Sequence, residues 1–432
     1  MVVTERSISD KHIDQLLTVR EAAKVLNVSL DTIRRWEKKG LIKAERTVHN
    51  YRVFCLDELK RAERKYSGGS DGTKFRLLKG RKTHHTVIEV FSGCGGMALG
   101  LENAGLKPVM MVEVDRDCVA TLKQSRPKWN VVQDYIENID FTSYRRTVDV
   151  VAGGFPCQAF SYAGNGKGFD DTRGTLFFQF ARCVREVEPK LAIAENVRGL
   201  VRHDGGKTLA TMLNVLDELG YYVDYQLLRA QFLDVPQKRE RVFIIGIRKD
   251  LETKFIYPRE QDYTISLRQT LQDCPISAGA SYPYWKRQVM EHVPPGGYWR
   301  DLPIDLQKKY MKGSFNQPGG KTGMARRLSW NEPSLTLTCN PAQKHTERCH
   351  PNQTRPLTVR EYARLQTFPD TWQFAGSVAS QYRQIGNALP VNLAYHIGKC
   401  LIAMLDERYD SQDIIVRSPR ELAFQQPITL AD

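Results

Sequence analysis

The sequence lacks the long apolar runs that a membrane-spanning helix requires. Of its 432 residues 41% are hydrophobic, yet no stretch approaches the roughly 18 consecutive apolar residues that such a helix needs. The first 20 residues are polar with mixed charge, so we expect no secretory signal. Nine cysteines without close pairs do not form a disulfide framework. These features predict a cytoplasmic protein without a membrane partner, in a reducing compartment where a thiol stays free to react.

The sequence also lacks internal repeats, and acidic residues do not balance its basic ones. The formal net charge is +14, which predicts a polyanionic partner. Residues 1–86 contain 20 Lys+Arg and 11 Asp+Glu, a net charge of +9, whereas the other 346 residues contain 43 and 38. Most of the basic excess therefore lies in the first fifth of a chain that is long enough for two or three domains.

Two short helices are predicted in this basic region. Thr18 and Glu21 have the spacing of a capping box, which predicts a helix start, and Ala22, Ala23 and Leu26 would form its buried face. A second helix, which ends near Gly40, turns its apolar side chains inward. Those apolar side chains are Ile33 and Trp36. The basic side chains on its outer face are Arg34, Arg35, Lys38 and Lys39.

Two helices joined by a tight turn, the second rich in arginine, are typical of a helix-turn-helix. Residues 48–54 alternate like a small β-wing, and Asp57 opens a third helix. Residues 15–65 resemble the winged helix-turn-helix of MerR-type regulators and phage excisionases, so we expect them to bind DNA; a small helical packing domain is the alternative. The composition of residues 67–72 is that of a flexible linker.

A strand, a glycine-rich turn and a helix follow this linker. The strand covers 87–91, the turn reads FSGCGG at 91–96, and the helix covers 97–104. This order opens a Rossmann-type unit, although the dinucleotide fingerprint spacing is absent. Glu113 lies about 20 residues after the turn, where a carboxylate commonly binds a ribose. Asp134 would end the third strand and suit an adenine amino group, so an adenosine-containing cofactor is implied.

A cysteine stands where open α/β sheets carry out chemistry. Cys157 lies in GGFPCQAFS at 153–161, directly after the apolar run 148–152, so its thiol is predicted at the carboxyl end of a strand. Only a thiolate is an effective nucleophile. Two charged motifs follow, Glu195-Asn196-Val197 and QKRER at 237–241. A nucleophile, an acid and an arginine pair near a cofactor-type turn predict an enzyme.

The order of these motifs resembles that of the DNA (cytosine-5)-methyltransferases of restriction–modification systems. FSGCGG, GGFPCQAFS, RGTLFF (173–178), ENV, QKRER and IGNALPVNLA (385–394) occur in that family's order. The resemblance covers residues 87–250 and 326–405, and Glu89 stands where the family usually has aspartate. It implies an α/β fold class: a Rossmann-like S-adenosylmethionine-dependent methyltransferase domain with a smaller target-recognition domain, preceded here by the winged helix-turn-helix.

The resemblance also implies a chemical role for each motif. Cys157 would add to carbon 6 of a cytosine that has been flipped out of the duplex. Glu195 would hydrogen-bond the ring nitrogen and exocyclic amine, and Arg241 would hold the carbonyl oxygen with Arg239 in support. Carbon 5 would then accept the methyl group of S-adenosyl-L-methionine. The implied cofactor-binding residues are Phe91, Gly93, Gly95, Gly96, Glu113, Val114, Asp134, Tyr135, Pro156, Leu176 and Asn387. The polar loop 160–175 would be a lid.

These motifs predict the domain boundaries. A helix-turn-helix domain covers 15–66, a linker 67–85, a catalytic domain 86–265 and a target-recognition domain 266–380. The C-terminal part of the catalytic domain covers 381–409, and the weak periodicity of the tail over 410–432 is compatible with disorder. Candidate DNA contacts of the target-recognition domain, each as readily plain surface, are Lys286, Arg287, Arg300, Lys308, Lys309, Lys312, Lys344 and Arg348. No metal is expected, because Cys339, Cys349 and His350 lack zinc-ligand spacing.

Several functional readings remain open at this point. The leading one is a DNA methyltransferase that protects duplex DNA from a partner restriction endonuclease. It would act in the prokaryotic cytoplasm, associated with the nucleoid, and would also bind operator DNA of its own operon. A second makes the chain mainly a transcription regulator. A third is tRNA cytosine methylation, which the DNA-type N-terminal module disfavours.

Overall fold

The computed structural model describes residues 16–26, 28, 30–38, 40–47, 51–67, 76–156, 176–319, 321–409 and 411–419. The N-terminal module consists of β1 (Leu16–Thr18), α1 (Val19–Val25), α2 (Leu30–Lys38), β2 (Glu45–Arg46), β3 (Arg52–Cys55) and α3 (Leu56–Ser67). The predicted capping box is confirmed, since the Thr18 hydroxyl accepts a bond from the Glu21 N–H at 3.3 Å and the Glu21 carboxylate accepts one from the Thr18 N–H at 2.9 Å. Its strands are antiparallel in the order β1-β3-β2, and the β2–β3 hairpin forms the wing.

The predicted buried face of this module is also confirmed. Its hydrophobic cluster contains Ala22, Ala23, Leu26, Ile33 and Trp36, together with Phe54 of β3. Arg34 and Lys38 lie exposed on α2. The side chain of Arg35 and all of Lys39 lie outside the described residues. Besides Leu30, the exposed side chains described on the second helix are therefore basic, which suits a DNA-binding helix.

A seven-stranded, mostly parallel sheet forms the centre of the molecule. The elements of this part of the chain are β4 (Thr86–Val90), α4 (Gly96–Ala104), β5 (Lys107–Glu113), α5 (Arg116–Ser125), β6 (Val131–Gln133), β7 (Val150–Gly153), α6 (Leu176–Val187), β8 (Leu191–Val197), α7 (Lys207–Glu218), β9 (Tyr221–Arg229), β10 (Gln237–Lys238) and β11 (Glu240–Arg248). All of these strands except β10 belong to the sheet. The strand order is β6-β5-β4-β7-β8-β11-β9, and only β11 runs antiparallel to its neighbours. The strand order reverses between β4 and β7, which is where such sheets bind ligands.

Both faces of the sheet are covered, which explains its nearly continuous apolar strands. On β4, Ile88 and Val90 pack into the core beneath α6 and α7, whereas Val87 packs into the core on the opposite face. The remaining elements are β12 (Phe255–Pro258), α8 (Leu267–Leu271), α9 (Tyr284–Glu291), α10 (Ile304–Met311), β13 (Ser334–Leu335), α11 (Val359–Leu365), α12 (Val378–Asn387), α13 (Val391–Leu405) and β14 (Ile414–Arg417). The helix α13 covers the second face and contacts α4 closely, because a Cβ on Gly100 would lie 2.3 Å from that of Ala394.

Two predicted boundaries differ from the structure. The expected linker 67–85 includes residues that dock on the catalytic body: the Leu78 N–H donates to Asn392 Oδ1 at 3.1 Å, and His85 Nε2 lies 2.7 Å from Asp406 Oδ1. The tail beyond 410 is not uniformly without structure, since β14 pairs with β12. These three contacts join residues more than 150 positions apart, so local composition does not reveal them.

The smaller domain is also shorter than the expected span 266–380. Its separate hydrophobic cluster draws on α9, α10 and the chain up to Cys349. Later apolar residues such as Tyr362 and Trp372 pack instead with Leu122 of α5 in the catalytic body. One helical run among the described residues, Val378–Leu405, has the length and apolar composition to cross a membrane, but 67% of its most apolar window is buried inside the protein, as in a core helix.

Candidate active site

A cavity of about 450 Å³ opens at the carboxyl ends of β4, β5, β7 and β8. The structure brings together most of the residues that the motifs predicted for the site. Those that line the cavity are Phe91, Gly93, Gly96, Glu113, Val114, Pro156, Leu176, Glu195, Arg239, Arg241 and Asn387. Cys157 and the predicted lid lie outside the described residues, although Pro156, its immediate predecessor, lines the cavity.

The glycine turn brings backbone to the cavity wall. Gly93 has φ +53°, and a Cβ on Gly96 would lie 2.1 Å from the Leu389 carbonyl oxygen, so neither position accommodates a side chain easily. Gly95 differs from the prediction, because it does not line the cavity. Its Cβ would lie 2.6 Å from Leu122 Cδ2, so this glycine serves close packing in the core.

The carboxylate of Glu113 is fixed at the end of β5 by three backbone N–H groups. Oε2 accepts from Gly93 at 2.7 Å, and Oε1 accepts from Val114 at 2.9 Å and Asp115 at 2.8 Å. These bonds join the glycine turn to the next strand end. They hold a negative group in one orientation beside the cavity.

Asp134 and Tyr135 lie beyond the cavity lining, at the end of β6. Asp134 Oδ1 accepts from the Tyr135 N–H and from Asn138 Nδ2, both at 2.7 Å. The Tyr135 side chain is 65% exposed and that of Val114, after the neighbouring strand, is 47% exposed. Exposed apolar side chains therefore follow two adjacent strands, β5 and β6.

Glu195 and Arg241 form an ion pair at the cavity wall. Arg241 Nε lies 2.7 Å from Glu195 Oε1, and the side chains are only 12% and 14% exposed. They come from the antiparallel neighbours β11 and β8, where Arg241 lies opposite Val197. Burial lowers the pKa of Arg241, and the Glu195 charge opposes that shift. The pair can therefore present both a carboxylate and a guanidinium to one ligand.

Arg239 supports the site from beneath. Its side chain is 1% exposed, and Nη1 and Nη2 donate to the carbonyl oxygens of Leu337 and Gly386 at 3.3 and 3.1 Å. Burial lowers its pKa well below the ordinary value for arginine. Arg239, which directly precedes β11, thus bonds two segments that lie about 100 and 150 residues later in the chain. The second of these segments carries Asn387.

Several cavity residues were missed in the sequence. Asp115 forms an ion pair with Arg383 at 3.0 Å, and Gln384 accepts from the Thr121 hydroxyl at 2.7 Å. Cys339 Sγ lies 3.0 Å from Asn387 Oδ1. The nearest signal for Arg383 and Gln384 was their position directly before the IGNALP motif.

Glu89 is a further cavity residue and is almost completely buried, with 3% of its surface exposed. Burial, with a smaller effect of the Glu113 charge, raises its pKa well above the ordinary value. Its Oε2 has no hydrogen-bond partner within the described part of the chain. A cavity with glycine walls, a fixed carboxylate and an orphaned buried acid fits a ligand that carries both hydroxyl and cationic groups.

Two of the candidate DNA contacts are instead internal. Lys286 Nζ forms a buried ion pair with Glu347 at 2.6 Å and donates to the Ala342 carbonyl at 2.7 Å. Arg348 Nε donates to the Thr336 carbonyl at 3.1 Å and Nη1 to that of Glu347 at 2.7 Å. Sequence alone did not distinguish these buried cations from surface ones. Within the described ranges no group of three or more metal-ligating side chains is found.

Comparison with known proteins decides the family. Residues 85–403 match the family model of C-5 cytosine-specific DNA methylases. The chain belongs to this family. It is a DNA (cytosine-5-)-methyltransferase, and the predicted fold class and enzyme class are confirmed. Family and fold imply the use of S-adenosylmethionine. Residues 18–54 match the MerR family of regulatory proteins, which supports the predicted N-terminal module.

Two named methyltransferases match three quarters or more of the chain. Type II methyltransferase M.Eco47II of Escherichia coli is 52% identical over 90% of this chain and 96% of its own length. Type II methyltransferase M.Sau96I of Staphylococcus aureus is 53% identical over 75% of this chain and 77% of its own. A prophage-encoded DNA modification methyltransferase of E. coli has a TM-score of 0.55 at 24% identity, covering 74% of this chain and 99% of its own. This last likeness supports the fold alone.

Proposed function

We propose that this methyltransferase modifies carbon 5 of a cytosine within a specific double-stranded DNA sequence, with S-adenosyl-L-methionine in the described cavity. The observation that carries the proposal is the Glu195–Arg241 pair on the same cavity as the glycine turn and Glu113. A carboxylate can accept from the exocyclic amine of cytosine and a guanidinium can donate to its carbonyl oxygen, and here the two groups are held 2.7 Å apart.

The cavity residues suit this cofactor. A volume of about 450 Å³ lies within the usual range of small-molecule sites. Glu113 would accept bonds from the ribose hydroxyls, and Asp134 would accept from the adenine amine. Val114 and Tyr135 would flank the adenine ring. The remaining residues proposed for the pocket are Phe91, Gly93, Gly96, Pro156, Leu176 and Asn387, with Gly95 shaping the turn from behind. When bound, the cofactor supplies an electrophilic methyl group.

In the proposed reaction the Cys157 thiolate forms a bond to carbon 6 of cytosine, which moves electron density to carbon 5. Glu195 hydrogen-bonds the ring nitrogen edge as that charge develops, and Arg241 holds the carbonyl oxygen. Carbon 5 would then take the methyl group as the bond from that group to the cofactor's sulfur breaks, which would leave a neutral thioether. Loss of the carbon-5 proton to solvent and departure of the Cys157 thiolate would then restore the aromatic ring. A base inside a duplex cannot reach these residues, so we propose that it is flipped out.

The segment between Thr338 and Arg348 is the proposed DNA-facing edge of the smaller domain. It starts beside the cavity, where Cys339 contacts Asn387. Lys286 bonds Ala342 within the segment, and Arg348 and Arg239 bond Thr336 and Leu337 directly before it. Such fastening keeps a recognition loop in one conformation. The candidates that remain for DNA contact are exposed or half-buried: Arg287, Arg300, Lys308, Lys309, Lys312 and Lys344.

The direct test is whether Cys157 forms a covalent bond with target DNA. Duplex DNA that carries 5-fluorocytosine in place of cytosine should trap the wild-type enzyme in a complex that survives denaturing gels, because fluorine cannot leave as the proton does. Cys157→Ser should form no such complex and should lose turnover. Cys339→Ser is the matched control, since it changes another thiol near the cavity. Trapping by Cys157→Ser would overturn the covalent mechanism.

The substrate is tested separately with labelled S-adenosylmethionine and either duplex DNA or tRNA. We expect label in DNA; label in tRNA alone would favour the tRNA alternative. Bisulfite sequencing of DNA from cells that express the chain would then locate the modified cytosine. Protection of that DNA from a nuclease encoded nearby would support the proposed pairing with a restriction endonuclease in the prokaryotic cytoplasm.

We propose that the N-terminal module also binds operator DNA and represses the enzyme's own operon. The MerR-family match and the exposed Arg34 and Lys38 support this role. Arg35 and Lys39 are the further DNA contacts proposed on this helix. A mobility-shift assay of residues 1–75 with the upstream promoter should show binding above that to random DNA of equal length. Equal binding to both would remove the regulatory role and leave the enzyme.

A further inference from the structure

Among the carboxylates that line the cofactor cavity, Glu113 and Glu89 differ in their surroundings. Glu113 accepts three backbone hydrogen bonds at the end of β5. Glu89 lies one strand away on β4, where it pairs in register with Met111 and Ala152. Its Oε2 is buried and has no hydrogen-bond partner in the described ranges. A buried carboxylate in such a place is unstable as an anion unless a cation or donor reaches it.

The described groups around Glu89 do not supply that cation. Glu113 is the charged group that acts most strongly on it, and its charge is negative. The thiols of Cys94 and Cys118 also line the cavity, and burial raises their pKa values far above neutrality, so both are uncharged. The cations on the cavity wall are Arg239, Arg241 and Arg383. Each has partners elsewhere: backbone carbonyls, Glu195 and Asp115 respectively.

The implied cofactor carries what Glu89 lacks. S-adenosylmethionine has a sulfonium and an ammonium group, and a positive charge beside a buried acid favours its ionised form. We propose that cofactor binding is coupled to release of a proton from Glu89. The carboxyl group of Glu89 is protonated while no cation is bound beside it, and it releases one proton to solvent when the cationic methyl donor binds. This inference rests on the proposed use of S-adenosylmethionine in this cavity.

The linkage has a defined sign. Burial raises the pKa of Glu89 in the free enzyme, and the bound cation lowers it. Between these two pKa values, binding releases a proton, so affinity should increase by up to about tenfold per pH unit as pH rises. Above the pKa of the free enzyme the affinity should level off. Glutamine at this position keeps the size and polarity but has no proton to release.

The experiment is isothermal titration calorimetry of the full chain with S-adenosylmethionine in two buffers of different ionisation enthalpy. A range of about pH 6 to 7.5 keeps the ligand's own α-amino group mostly protonated. Wild-type enzyme should release a measurable fraction of one proton, and its affinity should rise with pH. Glu89→Gln should show neither effect, while Glu89→Asp should retain both. Glu137→Gln, which changes an exposed carboxylate outside the cavity, is the matched control and should behave like wild type.

The outcomes separate the two levels of inference. Binding without proton release in the wild type, or with equal release in Glu89→Gln, would overturn the linkage and leave the proposed function intact. Absence of any binding would instead overturn the proposed cofactor site. S-adenosylhomocysteine, whose sulfur is neutral, identifies the cation: release that persists assigns it to the ammonium, and release that disappears assigns it to the sulfonium. If Glu89→Gln does not fold in a thermal scan, wild type and Glu89→Asp still decide.

Discussion

At the scale of single residues, the pairing of Glu195 with Arg241 sets the chemistry that the cavity can perform. Each side chain is mostly shielded from water and balances the charge of the other. Both line the same cavity. The charge, rather than the shape, of Glu195 is therefore the property to test.

Glu195→Gln should lower kcat by about 10²–10⁴-fold, the usual contribution of a positioned acid or base. Glutamine can still accept a bond from Arg241, so thermal unfolding and cofactor binding should change little. Methyl transfer from labelled cofactor to duplex DNA measures the effect. Glu240→Gln is the control, because Glu240 precedes Arg241 on the same strand but pairs with Arg198 near solvent. Equal losses in both variants would contradict the assigned role.

The two glycines of the turn with positive φ should respond differently to alanine. Gly93→Ala adds a Cβ with no atom within 4 Å, so it should cost only the left-handed backbone penalty of about 1–2 kcal/mol. Gly95→Ala adds contacts of 2.6 Å to Leu122 and 3.0 Å to Trp372, which should raise the total to roughly 2–5 kcal/mol. Urea unfolding measures both. Gly93→Ala should instead show the larger loss of cofactor affinity; the reverse order of stabilities would refute this assignment.

At the scale of elements, residues 76–85 belong to the catalytic body. Asn392 on α13 is fully buried, and its side chain bonds Leu78 N–H, the Arg76 carbonyl and the Asp234 carbonyl at 2.8–3.1 Å. His85 adds its contact with Asp406. This strap joins the entry of the catalytic domain to its last long helix.

Two N-terminal truncations should therefore behave differently. A chain that begins at 76 should keep the melting temperature and methylation rate of the full-length catalytic body. A chain that begins at 86 loses the bonds to Leu78 and Arg76 and leaves the buried Asn392 Oδ1 without its donor, at a cost of about 1–3 kcal/mol for the unsatisfied group alone, so its melting temperature should fall by several degrees. Differential scanning calorimetry distinguishes them. Identical catalytic-domain transitions would show that the strap does not contribute.

The element scale also shows what sequence could predict. The Thr18–Glu21 capping box and the glycine turn follow short-range rules, and both form as predicted. Glu195 and Arg241 were predicted from motif order, and the structure places them in contact. Pairing of β12 with β14, the strap at Asn392 and the ion pair of Lys286 depend on partners that are distant in sequence. Local pattern carries no information about such partners.

At the scale of the whole molecule, a basic N-terminal module precedes the methyltransferase body. Residues 1–75 contain 16 Lys+Arg and 11 Asp+Glu, and the MerR-like module lies within them. The proposed function gives both parts contacts with DNA, and both should then contribute to counterion release.

The salt dependence of DNA binding tests this division. The slope of log affinity against log salt should be steeper for the full chain than for a chain that begins at 76, by about 0.9 for each phosphate contact of the module. Fluorescence anisotropy with one labelled duplex and a series of KCl concentrations measures both slopes. Arg34→Ala should lower the slope of the full chain. Lys107→Ala should not, because Lys107 lies at the amino end of β5, whereas the cavity lies at the carboxyl ends of the strands. Equal slopes for the two chains would exclude a module contact.

The cavity wall formed by residues 383–389 has a consequence for biosynthesis. The glycine turn leaves the ribosome almost 300 residues before Asn387, which completes the same pocket. A nascent chain can fold its first strands early, but the cavity has no complete wall until α12 has emerged. We therefore expect methylation to begin only after α12 has been translated, and a frameshift or stop codon ahead of α12 should yield a product without catalytic activity.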